Sequence, residues 1–340
     1  MVMIKRKFPF RIAVVRESGG FGDCICAAGT CRQLKLENPG SHVKVFCPGG
    51  FIPIYGHCEG IDSAESLGEV KDLSGKRRSR NANLNCKLYP VSYLGELYSW
   101  HPHKVVDLWC PGAVHECSTV GPLLFNRNEL FAMSAGCKDI SARAVWHPTE
   151  LDKIAADRFL RNNRLQANGF LAVSFRGTDN IRSYPSSMAT SLVELLLTRL
   201  PVVYFDCIIP HFTVKSDNFF FPSVQFEVMA AIVQKARAVV TIDSALLHLA
   251  GALSKPSVAI LGPTDRVVAR AYPKCSVVEA WDYECPIPCN YSSHKGWVHP
   301  TKTEPAPCRK NGCRRMARVR PMMVFNKVVS ILENSDVRFV

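Results

Sequence analysis

Residues Val239 to Asp265 read VVTIDSALLHLAGALSKPSVAILGPTD, and this stretch decides the fold. Val239-Val-Thr-Ile242 is apolar and β-branched and reads as a buried strand. Ser244 to Leu253 reads as a short helix, and Ser257 to Leu261 as a second strand entering Gly262-Pro263-Thr264-Asp265. A strand, helix and strand in immediate succession join parallel strands, which makes the chain α/β. A strand ending at Asp243 and feeding a helix through Ser244 puts a carboxylate, a hydroxyl and free backbone N–H groups at the carboxyl edge of the sheet. Ligands of open α/β sheets bind at that edge. The helix start suits a diphosphate, and Asp243 suits sugar hydroxyls. His248, four residues beyond Ser244, shares its helix face and can donate to phosphate or sugar oxygen. The spacing equally allows Asp243 or Ser244 to cap the helix and His248 to fill a core gap.

The same alternation extends outward in both directions. Phe170 to Phe175 reads as a strand, Arg176 to Pro185 as a loop, the residues up to about Leu200 as a helix, Val202 to Phe205 as a strand, and Gln225 to Ala238 as an amphipathic helix. At the N-terminal end, Arg11 to Arg16 is a strand and Ser18-Gly-Gly-Phe-Gly22 a turn. Asp23 to about Glu37 is a helix stopped by Asn38-Pro39-Gly40, and His42 to Cys47 is a strand. Val105 to Trp109 is a further strand. The basic run Lys76-Arg-Arg-Ser-Arg80 lies in a polar stretch, Ser74 to Asn85, that reads as a solvated loop. The polar, partly helical stretch Pro148 to Asn168 separates the two series. The expected organisation is therefore a Rossmann-like domain over 1–150, a second over 151–325, and a C-terminal helix and tail over 326–340.

Composition bounds the setting. The chain has 340 residues, 47% of them hydrophobic and 21% charged, the profile of a globular protein large enough for two domains. The basic N-terminus runs into Phe8-Pro9-Phe10 without a signal-peptide core, and no apolar run approaches the roughly 20 residues that span a bilayer. A soluble, cytoplasmic protein with at most peripheral membrane contact is expected. Fifteen cysteines in a chain of this size point to reduced thiols, with or without a metal, ahead of disulfides. A formal net charge of +13 attracts anions: a phosphate-rich glycolipid, a nucleic acid or a nucleotide donor.

The segment Thr241 to Asp265 resembles the donor-site signature of glycosyltransferase family nine, the heptosyltransferases. That pattern is Asp-Ser/Thr, a small or apolar pair, His-Leu, a small-residue helix, Lys-Pro, a strand and Gly-Pro-Thr. The resemblance implies the GT-B fold, two Rossmann-like domains facing a cleft, with the nucleotide sugar held mainly by the C-terminal one. Val173-Ser-Phe-Arg-Gly-Thr178 with Arg182-Ser-Tyr-Pro185 resembles the strand and loop that open the second domain in that family, near the donor. By this resemblance Arg176, Arg182, Ser183 and Ser244 would hold the diphosphate, guanidinium forks matching phosphate oxygens. Asp243 and His248 would orient sugar or phosphate, with Gly262 and Thr264 also lining the donor site. Gly19-Gly-Phe-Gly-Asp23 resembles the family's Gly-Asp loop, which makes Asp23 the general base of an inverting transfer; its other reading is an N-cap on the helix that follows. Cys24-Ile-Cys26 departs from the leucine-rich residues of the family at this point.

Near the C-terminus, within residues 285–313, Cys285-x3-Cys289 and Cys308-x4-Cys313 form two close pairs. Their spacing is compatible with four thiolates around a tetrahedral ion, zinc by default, with His294 and His299 as substitutes. In family nine a cysteine-rich segment before the last helix ends in a Cys-Met-like pair similar to Cys313-Arg-Arg-Met316, and the resemblance admits iron instead. Any such metal would be structural, and no catalytic metal is expected. The reading is an inverting glycosyltransferase moving a sugar, heptose from its ADP derivative first, to a hydroxyl of an anionic acceptor such as lipopolysaccharide core. Its rivals are a phage-type enzyme acting on modified DNA bases, where +13 would serve the phosphate backbone, then a protein acceptor. A nucleotide-sugar-binding protein without turnover and a GT-B epimerase stand further off.

Overall fold

The computed structural model describes residues 9–16, 19–67, 97, 99–108, 122–177, 180–286, 288–290 and 312–336. The chain forms two compact units. One comprises residues 1–114 and 127–145, the other 115–126 and 146–340.

The N-terminal unit is built on four parallel strands, β1 (Arg11–Val15), β2 (His42–Cys47), β3 (Ser63–Ser66) and β4 (Lys104–Asp107), in the order β3-β2-β1-β4. Ile12 to Val15 are at most 1% exposed, so β1 is a central strand buried on both faces, as its unbroken apolar run requires. Helix α1 (Phe21–Glu37) crosses from β1 to β2, a short helix α2 (Ile52–Gly56) precedes β3, and α3 (Arg127–Ser134) packs on α1. Helix α1 begins at Phe21, not at Asp23, because Gly20 takes the extended N-cap conformation. Cys24, Ile25 and Cys26 are all buried, the two thiols filling core positions as small apolar groups. The basic run 76–80 and Trp109 lie outside the described residues.

The C-terminal unit carries six parallel strands: β5 (Leu171–Ser174), β6 (Val202–Tyr204), β7 (Phe219–Phe220), β8 (Ala238–Ile242), β9 (Ser257–Leu261) and β10 (Cys275–Glu279). Their order is β10-β9-β8-β5-β6-β7. The helices are α4 (Glu150–Asn162), α5 (Ser186–Leu197), α6 (Phe226–Gln234), α7 (Ala245–Ala252), α8 (Arg314–Arg318) and α9 (Pro321–Asp336). Thr149 opens α4 with a capping box: its hydroxyl accepts from the Asp152 N–H at 3.3 Å and its own N–H donates to Asp152 Oδ2 at 2.8 Å. Helix α6 stops at Gln234, short of the amphipathic stretch read to Ala238, since Ala238 already belongs to β8. Leu192 and Val193 of α5 and Val324 and Val328 of α9 close one face of the sheet over Leu171, Val173, Val240 and Val258. Burying each such side chain contributes about 1.5–3 kcal/mol. Among the described residues no helix is long and apolar enough to cross a membrane.

In both units the strand order reverses beside the first strand. In the first, the chain lays down β1, β2 and β3 in one direction and returns to place β4 on the other flank of β1. In the second it lays down β5, β6 and β7, then returns to place β8, β9 and β10 on the other flank of β5. Loops at the carboxyl ends of the two strands on either side of such a reversal diverge and leave a crevice. Asp23 lies in the first turn of α1, just after β1, the loop after β5 holds Arg182, and Asp243 directly follows β8.

Candidate functional site

Asp243 follows the last residue of β8 and is the hub of the C-terminal unit's crevice. Asp243 is 8% exposed, so its carboxylate needs partners. Oδ2 accepts a hydrogen bond from Thr264 Oγ1 at 2.9 Å and lies 3.5 Å from Arg182 Nη1, and Oδ1 lies 3.8 Å from His248 Nε2. Three loops thus converge on one carboxylate: the one after β5 supplies Arg182, the one after β8 Asp243, and the one after β9 Thr264. His248 is buried in α7, and its Nδ1 is 2.5 Å from the Tyr272 hydroxyl. That contact fixes which way the imidazole ring faces and leaves Nε2 toward Asp243.

The two alternatives left open by the spacing resolve unequally. Ser244 occupies the N-cap position of α7 in an extended conformation, but its side chain caps nothing; its hydroxyl pairs with Thr241 Oγ1 at 3.0 Å. Asp243 is spent on Thr264, Arg182 and His248. His248 is at once a core side chain and a neighbour of Asp243.

Of the other residues singled out by resemblance, Ser183 accepts from the Gly177 N–H at 3.1 Å and so tightens the loop after β5. Arg176 is drawn away from Asp243: its Nε lies 2.8 Å from Asp206 Oδ2, at ion-pair distance but not aimed for a hydrogen bond, and its Nη2 donates to the Ile209 carbonyl at 2.9 Å. Gly262 serves close packing. A Cβ there would stand 2.7 Å from Met316 Cβ, so α8 can approach the end of β9 only over a glycine.

Sequence reasoning missed four contributors. Arg315, 5% exposed, donates through Nε to the Gly262 carbonyl at 3.2 Å and through Nη1 to the carbonyls of Cys285 and Pro286 at 3.2 and 2.8 Å. It ties the Gly-Pro-Thr turn to the cysteine segment. Asn290 does the same from the other side: its N–H donates to the Pro263 carbonyl at 2.8 Å, and its Oδ1 accepts from the Asp265 N–H at 2.8 Å. Tyr272 sets His248. Asp206 receives Arg176. A second arginine directly after a cysteine was the one visible signal, for Arg315; the other three carried none.

Three of the four predicted thiolate positions are described. Burial pushes the Cys313 thiol up to about 11, and the neighbouring Cys289 and Cys285 add to the rise. The Cys313 thiol thus senses the other two, although no group of three or more Cys, His, Asp or Glu side chains among the described residues stands in ligating geometry. Cys308, His294 and His299 lie outside the described residues. In the N-terminal unit Cys24, Cys31, Cys47, Cys58 and Cys137 are buried thiols whose ionisation burial opposes, Cys24 rising to about 12. Such groups act as core packing rather than nucleophiles.

Asp23 sits at the third position of α1. Its Oδ2 accepts from the Gly20 N–H at 3.0 Å, its Oδ1 takes a 2.6 Å ion pair from Arg127 Nη1, and Arg16 Nη2 stands 4.0 Å away. It is not the N-cap residue, but it does serve the helix start by receiving the N-cap's own N–H. Gly19 has φ +112°, a conformation side chains rarely adopt, and a Cβ there would lie 2.8 Å from Asp23 Oδ2. The glycine leaves room for the carboxylate and for the Arg16 guanidinium.

Residues 211–294 match the model of glycosyltransferase family 9 (heptosyltransferase). In structure the chain is similar to the ADP-heptose lipopolysaccharide heptosyltransferase II of E. coli, with TM-score 0.65 at 13% identity over 95% of this chain and 99% of that one. It is also similar to E. coli heptosyltransferase WaaC, solved with ADP-2-deoxy-2-fluoro heptose, with TM-score 0.54 at 16% identity over 94% and 99%. The third is TibC, an iron-containing dodecameric glycosyltransferase of enterotoxigenic E. coli, with TM-score 0.59 at 13% identity over 96% and 77%. At these identities the structural likeness is one of fold. No curated protein matches the chain in sequence.

Proposed function

Starting from the match of residues 211–294 to glycosyltransferase family 9 and from the fold the chain shares with heptosyltransferases, we propose that it transfers heptose from an ADP-heptose donor to a hydroxyl of an anionic glycolipid, with inversion. The observation that carries the reading is the convergence of Arg182, Thr264 and His248 on the buried Asp243 carboxylate at the strand-order reversal of the C-terminal unit. The donor follows from what the related structures hold: WaaC was solved with an ADP-heptose analogue, and TibC with ADP-D-β-D-heptose. The acceptor follows from the net charge of +13 and from the lipopolysaccharide named for heptosyltransferase II. An acceptor of this kind would bring the protein to a membrane surface from the cytoplasm.

In the reaction the acceptor oxygen attacks the anomeric carbon on the face opposite the diphosphate. A new C–O bond forms as the bond to the diphosphate oxygen breaks, and that oxygen keeps the electron pair. Asp23 takes the acceptor's proton as the oxygen loses it. Gly20 and Arg127 hold the carboxylate in one rotamer for this task, which removes an orientational cost from the transition state. On the donor side Arg182 and the first-turn N–H groups of α7, with the Ser244 hydroxyl beside them, meet the negative charge that grows on the departing diphosphate. Asp243 holds Arg182, Thr264 and His248 in register for the sugar and phosphate oxygens.

Cys285, Cys289, Cys308 and Cys313 suit a structural metal. Soft thiolates select zinc or iron, and Cys285 and Cys289 lie within electrostatic reach of Cys313. A bound ion would hold the segment that Arg315 and Asn290 join to the Gly-Pro-Thr turn. Burial of Cys313 opposes the thiolate, and a cation would reverse that preference.

Release of ADP from ADP-heptose tests the reading. Release is expected to depend on added heptose-free lipopolysaccharide core and to be matched by a heptose gained on that acceptor. ADP release at the same rate without any acceptor, or none with it, would refute transfer to this acceptor.

A further inference from the structure

The Lys-Pro pair inside the 239–265 segment takes no part in the site described above. Lys255 stands two residues before β9, while Arg237 and Lys274 directly precede β8 and β10. Register aligns them. Val239 and Cys275 both pair with Ser257, which brings Arg237 level with Lys255 and Lys274 level with Pro256. Two backbone bonds hold this edge, from the Val239 N–H to the Pro256 carbonyl at 2.9 Å and from the Ser257 N–H to the Lys274 carbonyl at 3.0 Å. Adjacent strands lie about 4.8 Å apart, so three cations share one short stretch of the sheet's amino edge.

Nothing described neutralises the two lysines. Neither ammonium makes a hydrogen bond or ion pair among the described residues. Asp157 of α4 is paired with Lys235 at 2.8 Å, and Arg237 Nη2 donates to the Leu332 carbonyl of α9 at 3.3 Å. Lys255 is half-buried and Lys274 exposed. Burial pushes the Lys255 ammonium down to about 8, and Lys274 and Arg237 push the same way, with no carboxylate opposing them. Like charges placed side by side across strands cost stability, and an anion from outside would remove that cost.

We propose that Arg237, Lys255 and Lys274 form a second phosphate-binding site at the amino edge of the C-terminal sheet, separate from the donor site at its carboxyl edge. The five-residue strands between the two edges set them roughly 15 Å apart. A phosphate group fits because it presents several oxygens and up to two charges to the two point-charge ammoniums, with the positive charge of the Arg237 guanidinium, itself held by the Leu332 carbonyl, beside them. The group can belong to a small phosphorylated compound or to a lipid headgroup. This site does not depend on the glycosyl-transfer reading.

The test keeps the full chain and separates the two sites. With ADP at saturation, inorganic pyrophosphate is titrated while the melting temperature is followed. The wild type is expected to show a further, saturable rise. In Lys255→Gln and Lys274→Gln the pyrophosphate needed for half of that rise should increase about tenfold or more, the loss of one charge-assisted contact, with the shift caused by ADP alone unchanged. Lys255→Gln should also melt above the wild type when no anion is present, since it relieves the repulsion. No second rise in the wild type, or the same midpoint in both variants, would overturn the site. Co-sedimentation with phosphatidylglycerol vesicles, compared with phosphatidylcholine, identifies the source. Lysine-dependent capture by the former makes the ligand a lipid headgroup, and its absence beside an intact pyrophosphate response makes it a soluble phosphate.

Discussion

Asp23→Asn is expected to lower kcat for sugar transfer by about 10²- to 10⁴-fold, the usual contribution of a positioned general base, while donor affinity stays at the wild-type level. Asparagine is isosteric and its carbonyl can still accept from the Gly20 N–H, so the start of α1 keeps its hydrogen bond. What disappears is the proton acceptor and the 2.6 Å ion pair to Arg127. Steady-state rates with ADP-heptose and lipopolysaccharide core, read beside a melting curve, separate the two consequences. A melting temperature near that of the wild type with a collapsed kcat is the expected outcome. An unchanged kcat would remove Asp23 from the chemistry and leave it as a helix-start residue only.

The second large effect is expected at Asp243→Asn. Arg182, Thr264 and His248 all meet at this carboxylate, so its neutralisation loosens two loops and the start of α7 at once. A hydrogen bond to a charged group contributes about 1.5–3 kcal/mol, and loss of one such contact to the donor or its holders weakens donor binding by about ten- to a hundredfold. The variant should also melt below the wild type, because the Arg182 guanidinium, largely buried, loses its counter-charge. Calorimetric titration with ADP measures the first effect. Donor affinity equal to the wild type in a folded Asp243→Asn protein would show that the cluster only braces the fold.

Much of this was legible in the chain because the signals were local. The Val239–Ile242 and Ser257–Leu261 strands are short unbroken apolar runs with a small-residue helix between them, and their length, β-branching and flanking polar or glycine residues place them; the structure has β8 at Ala238–Ile242 and β9 at Ser257–Leu261. Asp243 was legible for the same reason, as a carboxylate where a buried strand must end. Its partnership with Thr264 was not, since 21 residues and a whole crossover lie between them. The Arg182 contact spans 61 residues, and only the reversal of strand order at β5 and β8 explains why those two loops meet. Tyr272 and Asn290 were invisible because nothing in their neighbourhood repeats or alternates; Tyr272 acts by reaching back to His248 in α7, and Asn290 by reaching back to the Gly-Pro-Thr turn.

The beginning of α1 shows a different kind of miss. A carboxylate after a glycine run reads naturally as an N-cap, yet Gly20 takes that position and Asp23 lies one turn inside, where it accepts from the Gly20 N–H. Arg176 is comparable. Its place in the loop after β5 suggested phosphate, and in the structure it is paired with Asp206, a residue with no apparent motif around it. The edge strand β7 and the short β3 and β6 carry too few residues to show a period at all.

The central claim is that the crevice around Asp243 binds a nucleotide sugar, and thermal stabilisation by a panel of ADP-, UDP-, GDP- and CMP-sugars tests it most directly. At about a hundred times its Kd a donor adds about 2.7 kcal/mol to stability, a rise in melting temperature of roughly 5–10 °C for a domain of this size. ADP-heptose is expected to give that rise in the wild type and a smaller one in Asp243→Asn. A melting curve that none of the four classes of nucleotide sugar moves would contradict the account.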